Sequence, residues 1–211
     1  MDRVVFAGCL LLVVFGILLG VGIGSPEIAS SKVRGIFELL SFAGTVITAV
    51  VAVVALTSWQ TQFRHAERYK SVKTLLEASN DIHQMRSYMF KLQEKYLWLL
   101  ESDGKPNEVI DVQEAHQKEE WFSIQDKYTK AWSAAAIFMS EHERSSVPLT
   151  GKALRAISFD LPMQLTFLYA NSQGVNGRSS FAWAAREIIE SYSDQATATI
   201  AAVENIFSAT K

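Results

Sequence analysis

Two long apolar runs near the N-terminus constrain this chain more than any other feature. The first covers residues 4–24 without a charge, and the second covers residues 36–59 with one acidic residue, Glu38. Since an α-helix rises about 1.5 Å per residue, each run can cross a hydrocarbon core roughly 30 Å thick. The polar residues 25–35 between them cannot lie in lipid, where an unpaired backbone is too costly. The sequence therefore predicts a two-helix transmembrane hairpin over residues 1–59.

A cleaved secretory signal is the alternative interpretation of the first run, because Arg3 precedes it. The apolar core of such a signal is about 7–15 residues long and ends at a small-residue cleavage site. Here the apolar run continues well past that length, so we expect a retained span.

Basic residues near the spans predict the orientation, because Lys and Arg concentrate on the cytoplasmic side. Five of them flank the outer ends of the hairpin and two lie in its loop, which places the loop outside. Both termini of this multi-pass protein are then expected in the cytoplasm. The five are Arg3, Arg64, Arg68, Lys70 and Lys73, and the two are Lys32 and Arg34.

Small residues recur at every fourth position in both runs and so lie along one face of each helix. Such a face lets a second helix approach closely. The hairpin could close on itself or pair with copies of itself into a homo-oligomer, although apolar sequences also contain this spacing by chance. The residues are Gly16, Gly20 and Gly24 in the first run and Gly44, Thr48 and Ala52 in the second.

Glu38 is the only acidic residue within either run, close to the start of the second. Ionisable groups at membrane depth are costly and often functional. Two interpretations stay open: a carboxylate that reaches the outer interface, or one member of a carboxylate ring at a pore mouth.

The remaining residues, 60–211, are expected to form a cytoplasmic antiparallel helical bundle, which makes the chain all-α. Apolar residues recur at helical spacing in five segments, residues 60–101, 108–144, 150–158, 164–170 and 179–209, and no segment alternates like a strand. Asn107 is a candidate N-cap, and Pro162 is read as the start of a new helix. The first segment carries a heptad seam: Leu75, Ala78, Ile82, Met85, Met89, Leu92, Tyr96 and Leu99.

Charge and chemistry exclude several functions for this chain. Lys and Arg number 20 against 22 Asp and Glu, so the net charge of -2 gives no general electrostatic case for nucleic-acid binding. The single cysteine, Cys9, excludes an intramolecular disulfide and agrees with a reducing compartment. No catalytic, cofactor-binding or metal-binding spacing is present, so a non-enzymatic protein is expected.

Aromatic residues with interleaved lysines lie on the two long helices after the hairpin. They could form a platform for single-stranded nucleic acid, or they could be core aromatics beside a solvated face. The residues concerned are Tyr88, Phe90, Tyr96, Trp98, Trp121, Phe122, Tyr128 and Trp132, with Lys91, Lys95, Lys127 and Lys130.

Two spans, a short outer loop, the face of Gly16, Gly20 and Gly24, and a helical bundle without catalytic residues resemble membrane-acting effectors of bacterial anti-phage systems. In particular, the chain looks like the two-span transmembrane effectors encoded beside a retron reverse transcriptase. The resemblance implies a location in the bacterial inner membrane and restraint by the reverse transcriptase with its RNA-linked single-stranded DNA. Release would let the effector damage the lipid bilayer.

Two other functions remain open. One is a membrane-tethered scaffold or signalling protein that acts through its helical bundle. The other is a membrane-bound enzyme of unfamiliar type.

Overall fold

The computed structural model describes Gly8, residues 31–172, Gly174 and residues 177–210, with only the backbone for residues 31–41. Within these residues the chain is helical and contains no strand, which confirms the all-α prediction. The helices are α1 (Ser31–Ser79), a 3-10 turn (Asn80–His83), α2 (Gln84–Glu101), α3 (Glu108–Ala136), α4 (Glu141–Ser146), α5 (Gly151–Asn171) and α6 (Gly177–Ser208).

The chain divides into a first unit, Met1–His65, and a second unit, Ala66–Lys211. The division falls inside α1, which continues past Trp59 without interruption, as the sequence predicted. At its other end α1 begins at Ser31 rather than Ile36, so part of the expected loop is helical. No proline follows Pro26 in this region, and the single glycine there, Gly35, lies within the helix.

The helix expected over residues 60–101 is not continuous, because the 3-10 turn tightens it at Asn80–His83. Ser79 is fully buried and its hydroxyl donates back to the Leu76 carbonyl at 2.8 Å, a local bond that competes with regular helix. Tyr192 donates its hydroxyl to the Ile82 carbonyl in the turn at 2.7 Å. A tertiary contact thus stabilises the interruption.

The heptad seam lies in the core of the second unit. Leu75, Ala78, Ile82, Met85, Met89 and Leu92 are buried, while Tyr96 and Leu99 are half-buried. Helix α2 packs on α3, α5 and α6, so the seam is covered by helices of its own chain. Each Å² of apolar surface removed from water stabilises the fold by roughly 25 cal/mol. Burial of this apolar face is therefore the main source of stability for such a unit.

The stop after α2 is confirmed. Asp103 and Gly104 have positive φ values of 51° and 78°, and the Gly104 amide donates to the Leu99 carbonyl at 2.8 Å. This geometry closes a helix C-terminus.

The cap of α3 is confirmed as well, since the Asn107 side chain accepts from the amides of Val109 and Ile110. The end expected near Arg144 is wrong, because α3 stops at Ala136. Ser140 and Glu143 form a complete capping box that starts the separate helix α4.

The break expected at Pro162 is also wrong, because α5 runs from Gly151 to Asn171 with the proline inside it. Leu154 and Leu165, which lie on either side of Pro162, are fully buried. One continuous apolar face therefore keeps the helix together across the proline, and tertiary packing overrides the local preference.

Gly151 starts α5 at a point of close approach. A Cβ there would lie 3.0 Å from Cδ1 of Trp132 on α3, so only glycine fits without displacing the indole.

Helical spacing predicts a buried face on α6 at Phe181, Ile188, Tyr192, Ile200, Val203 and Phe207. The observed face differs from it by a single residue in several turns. Phe181, Tyr192 and Val203 are buried as expected, but Ile189 is buried where Ile188 was expected. The true face also contains small residues that an apolar count overlooks: Ala185, Ala196 and Thr199.

Candidate membrane segment

Helix α1 exposes its apolar side chains in the first unit. Among the described residues, one helical stretch, Phe42–Glu101, is long and apolar enough to cross a membrane, and none of its most apolar 18 residues is buried. A run of exposed aliphatic side chains is unfavourable in water and favourable in lipid. The exposed large side chains there are Phe42, Val46, Ile47, Val50, Val51, Val53, Val54 and Leu56.

One face of this segment is more covered than the rest. Gly44 and Ala55 are half-buried, and Val51 is 38% exposed, whereas Val53 is 62% exposed. Residues 44, 51 and 55 lie on one side of a helix by their spacing. Gly8 is helical, and a Cβ at Gly8 would lie 3.5 Å from Cγ1 of Val51, an ordinary contact.

The residues expected to mediate helix packing fall partly outside the described set, as Gly16, Gly20 and Gly24 do. In α1 the Thr48 hydroxyl donates to the Gly44 carbonyl at 2.8 Å, and Ala52 is exposed. Glu38 lies in the helical backbone of α1, and its side chain is outside the described residues.

An aromatic pair marks the end of the apolar stretch. Trp59 is 61% exposed and stacks on Phe63 with ring centroids 5.7 Å apart. The exposed Arg64 follows directly. Aromatic rings followed by a basic residue are typical of a membrane interface.

The first turns of the second unit are tied to its far helices by two contacts. Arg68 Nη2 lies 2.6 Å from Oε1 of Glu143, which forms the α4 capping box with the N-cap residue Ser140. Tyr69 packs on Phe207 of α6 with ring centroids 5.3 Å apart. Neither pair was predictable from the sequence, because neither spacing belongs to a local motif.

Glu143 is held ionised by its surroundings. Partial burial raises its pKa, but hydrogen bonds from the backbone and side chain of Ser140 and the Arg68 guanidinium outweigh burial, so its pKa lies below the usual value. The carboxylate therefore serves the helix cap and the ion pair together.

The proposed nucleic-acid platform is mostly core. Tyr88, Trp121 and Tyr128 are buried, and burial with the nearby Glu114 raises the pKa of Tyr88 to about 12. Of the two exposed aromatics, Phe90 carries Arg86 over its ring at 5.3 Å, and Trp98 donates its indole N–H to the Lys105 carbonyl.

The four lysines of that platform are each paired with carboxylates. Lys95 is the most enclosed: partial burial lowers its pKa, but hydrogen bonds to Asp111 and Glu114 raise it above the usual value. Buried rings and neutralised lysines favour the core-aromatic interpretation over nucleic-acid binding. The other pairs are Lys91–Glu94, Lys127–Asp81 and Lys130–Asp126.

The described part of the second unit has shallow surface grooves. The groove between α5 and α6 has a volume of about 450 Å³ and is lined by Asp160, Gln164, Glu187 and Gln195 beside Leu161. In the described residues, no group of three or more His, Cys, Asp or Glu side chains is placed to hold a metal ion. The four histidines are all exposed.

Comparison with known proteins adds no family to these observations. A scan against protein-family models finds no match, and searches of curated proteins and of solved structures find none either. The exposed apolar segment and the helices of the second unit are therefore the features of this chain that bear on its function.

Proposed function

We propose that this chain perturbs the membrane through its N-terminal apolar helices when a restraining partner releases it. Residues 1–59 form a two-span hairpin in the bacterial inner membrane, and residues 60–211 form a cytoplasmic antiparallel bundle that controls the hairpin. The observation that carries the proposal is the exposure of the apolar side chains from Phe42 to Leu56. The second unit buries a core of its own, so lipid is the natural cover for this surface.

A hairpin is supported by the more covered face of α1. Gly44, Val51 and Ala55 lie on one side, and a Cβ at Gly8 in the first apolar run would lie 3.5 Å from Cγ1 of Val51. Small residues on facing helices permit the close backbone approach on which helix association in lipid depends.

The restraining partner follows from the resemblance to retron effectors. It is a reverse transcriptase with RNA-linked single-stranded DNA, and it would act on the bundle. The paired lysines of the second unit argue for restraint through protein contacts rather than through the nucleic acid itself.

The test measures inner-membrane potential in bacteria that produce the full chain without its partner. The parent chain is expected to depolarise the membrane. Gly20→Ile and Ala55→Ile each place a branched side chain on a packing face, so both should depolarise much less while still inserting.

Each variant has a matched control on another face of the same helix. Gly22→Ile differs from the first variant by about half a helical turn, and Ala49→Ile replaces an exposed alanine. Both controls should act like the parent chain. Equal depolarisation by all four variants would remove these packing faces from the mechanism, and no depolarisation by the parent at matched membrane levels would reject the proposal.

The second candidate function is a membrane-tethered scaffold, and the outward face of α5 favours it. Phe159, Met163 and Phe167 follow each other at four-residue steps and are 57%, 58% and 65% exposed. Large exposed apolar side chains in one patch mark protein-interaction surfaces. A scaffold predicts a stable protein complex that Met163→Glu disrupts, without depolarisation by the parent chain.

A further inference from the structure

The proline inside α5 leaves a buried backbone acceptor without its usual donor. In a regular helix the amide of residue 162 would bond the Ser158 carbonyl, but Pro162 has no amide hydrogen. Ser158 is only 2% exposed, so bulk water does not reach it. Its hydroxyl cannot donate to that carbonyl either, because it donates to the Leu154 carbonyl at 2.7 Å.

Helix α3 carries buried donors that lack an acceptor. Trp121 is fully buried and Gln125 is 6% exposed. Among the residues that the structure describes, neither Trp121 Nε1 nor Gln125 Nε2 has a hydrogen-bond partner, and Thr129 Oγ1 in the next turn has none. Buried polar groups of native proteins are almost always satisfied, so three in successive turns require an explanation.

Two contacts show that the segments carrying these groups lie on adjacent, packed helices. Trp132 of α3 meets Gly151 of α5, and the ring centroids of Phe122 and Phe159 lie 5.8 Å apart. The later residue of α3 meets the earlier residue of α5, so the two helices are antiparallel. Gln125 lies between Phe122 and Trp132 along α3. Successive residues are rotated by about 100° around a helix axis, so Gln125 also lies between these two residues in direction. It therefore faces the part of α5 between Gly151 and Phe159, which contains Ser158.

We propose that an internal water molecule bridges α3 and α5 at this point. It accepts a hydrogen bond from Gln125 Nε2 and donates one to the Ser158 carbonyl, in place of the amide that Pro162 lacks. Both protein groups are neutral, one a donor and the other an acceptor. Water is the smallest molecule that satisfies both, and its remaining sites can serve Trp121 or Thr129.

The test is a double-mutant cycle on thermal unfolding of the full chain in detergent. Pro162→Ala restores an amide donor to the Ser158 carbonyl and makes the water dispensable. Gln125→Met keeps the size of the side chain and removes the donor. We expect Gln125→Met to lower the Tm by about 2–4 °C in the parent chain and to leave it unchanged or raised beside Pro162→Ala.

Gln164→Met is the control, because Gln164 is an exposed residue of α5. It should change the Tm equally and little in both backgrounds. An equal Tm change by Gln125→Met in both backgrounds would overturn the proposal. A high-resolution experimental structure with no water within hydrogen-bond distance of both Gln125 Nε2 and the Ser158 carbonyl would overturn it as well.

Discussion

The Arg68–Glu143 pair allows a test at the scale of single residues. Its side chains are 29% and 19% exposed, so the pair is less screened than a surface pair. Glu143→Gln keeps an acceptor for the Ser140 amide and removes the charge. We expect this change to lower the free energy of unfolding by about 1 kcal/mol at neutral pH, measured by denaturation in detergent.

The stabilisation that Glu143 contributes depends on pH in a definite direction. The pKa of Glu143 in the folded protein lies below the usual glutamate pKa, so its stabilisation is present above that usual pKa and is lost as the pH falls through the lower folded-state pKa. The difference between parent and Glu143→Gln should therefore vanish in acid. Glu190→Gln, which breaks the exposed pair with Arg186, is the control and should have little effect. A difference between parent and Glu143→Gln that persists unchanged in acid would contradict this assignment.

Local chemistry was predictable at this scale and distant pairing was not. The Asn107 cap follows from the side chain and its position before an acidic first turn. The contact of Arg68 with Glu143 joins residues 75 positions apart, and no spacing rule connects them. Such pairs emerge only once the helices have packed.

At the scale of elements, the seam of α1 and α2 predicts a large effect from one charge. Met85 is fully buried, so Met85→Asp places a carboxylate in the core without a partner. Burial of such a group costs several kcal/mol, and the second unit should lose its cooperative thermal transition. Ser87→Asp, at an exposed position of the same helix, should leave the transition almost unchanged. An unaltered Met85→Asp transition would show that the seam is solvated.

Helix ends were the least predictable elements. Periodicity predicted the buried face of α2, but it missed the end of α3 at Ala136 and the continuity of α5 across Pro162. Both errors have one physical cause, because local preferences of a few tenths to a few kcal/mol compete with tertiary packing that the sequence does not display. The one-residue displacement on α6 arises similarly, since Ala185 and Ala196 are buried but contribute little to an apolar pattern.

At the scale of the whole molecule, the basic asymmetry predicts a topology. In a Cys9→Ala background, Ser30→Cys should react with an impermeant thiol reagent added to intact cells. Ser208→Cys, an exposed position at the end of α6, should react only after the inner membrane is opened. The reverse pattern would place the second unit outside and exclude a cytoplasmic partner.

The hairpin itself can be tested by a cross-link within one chain. A Cβ at position 8 would lie 3.5 Å from Cγ1 of Val51, which marks where a cysteine sulfur at 51 can lie. In the Cys9→Ala background, Gly8→Cys with Val51→Cys should form a disulfide on mild oxidation in membranes and migrate as a monomer. Gly8→Cys with Val53→Cys is the control, because residue 53 lies on the far side of α1, and it should stay reduced.

The cross-linked product distinguishes two arrangements that small-residue faces permit: packing of the two runs within one chain, and packing between copies of the chain. A cross-linked monomer places Gly8 beside Val51 of its own chain, which is the hairpin. A cross-linked dimer from the same pair would place the two runs against each other in different copies, so the membrane segment would be an assembly between chains. Equal cross-linking at 51 and 53 would show that α1 presents no preferred face to residue 8. The packing variants Gly20→Ile and Ala55→Ile would then lose their rationale, because both depend on such a face.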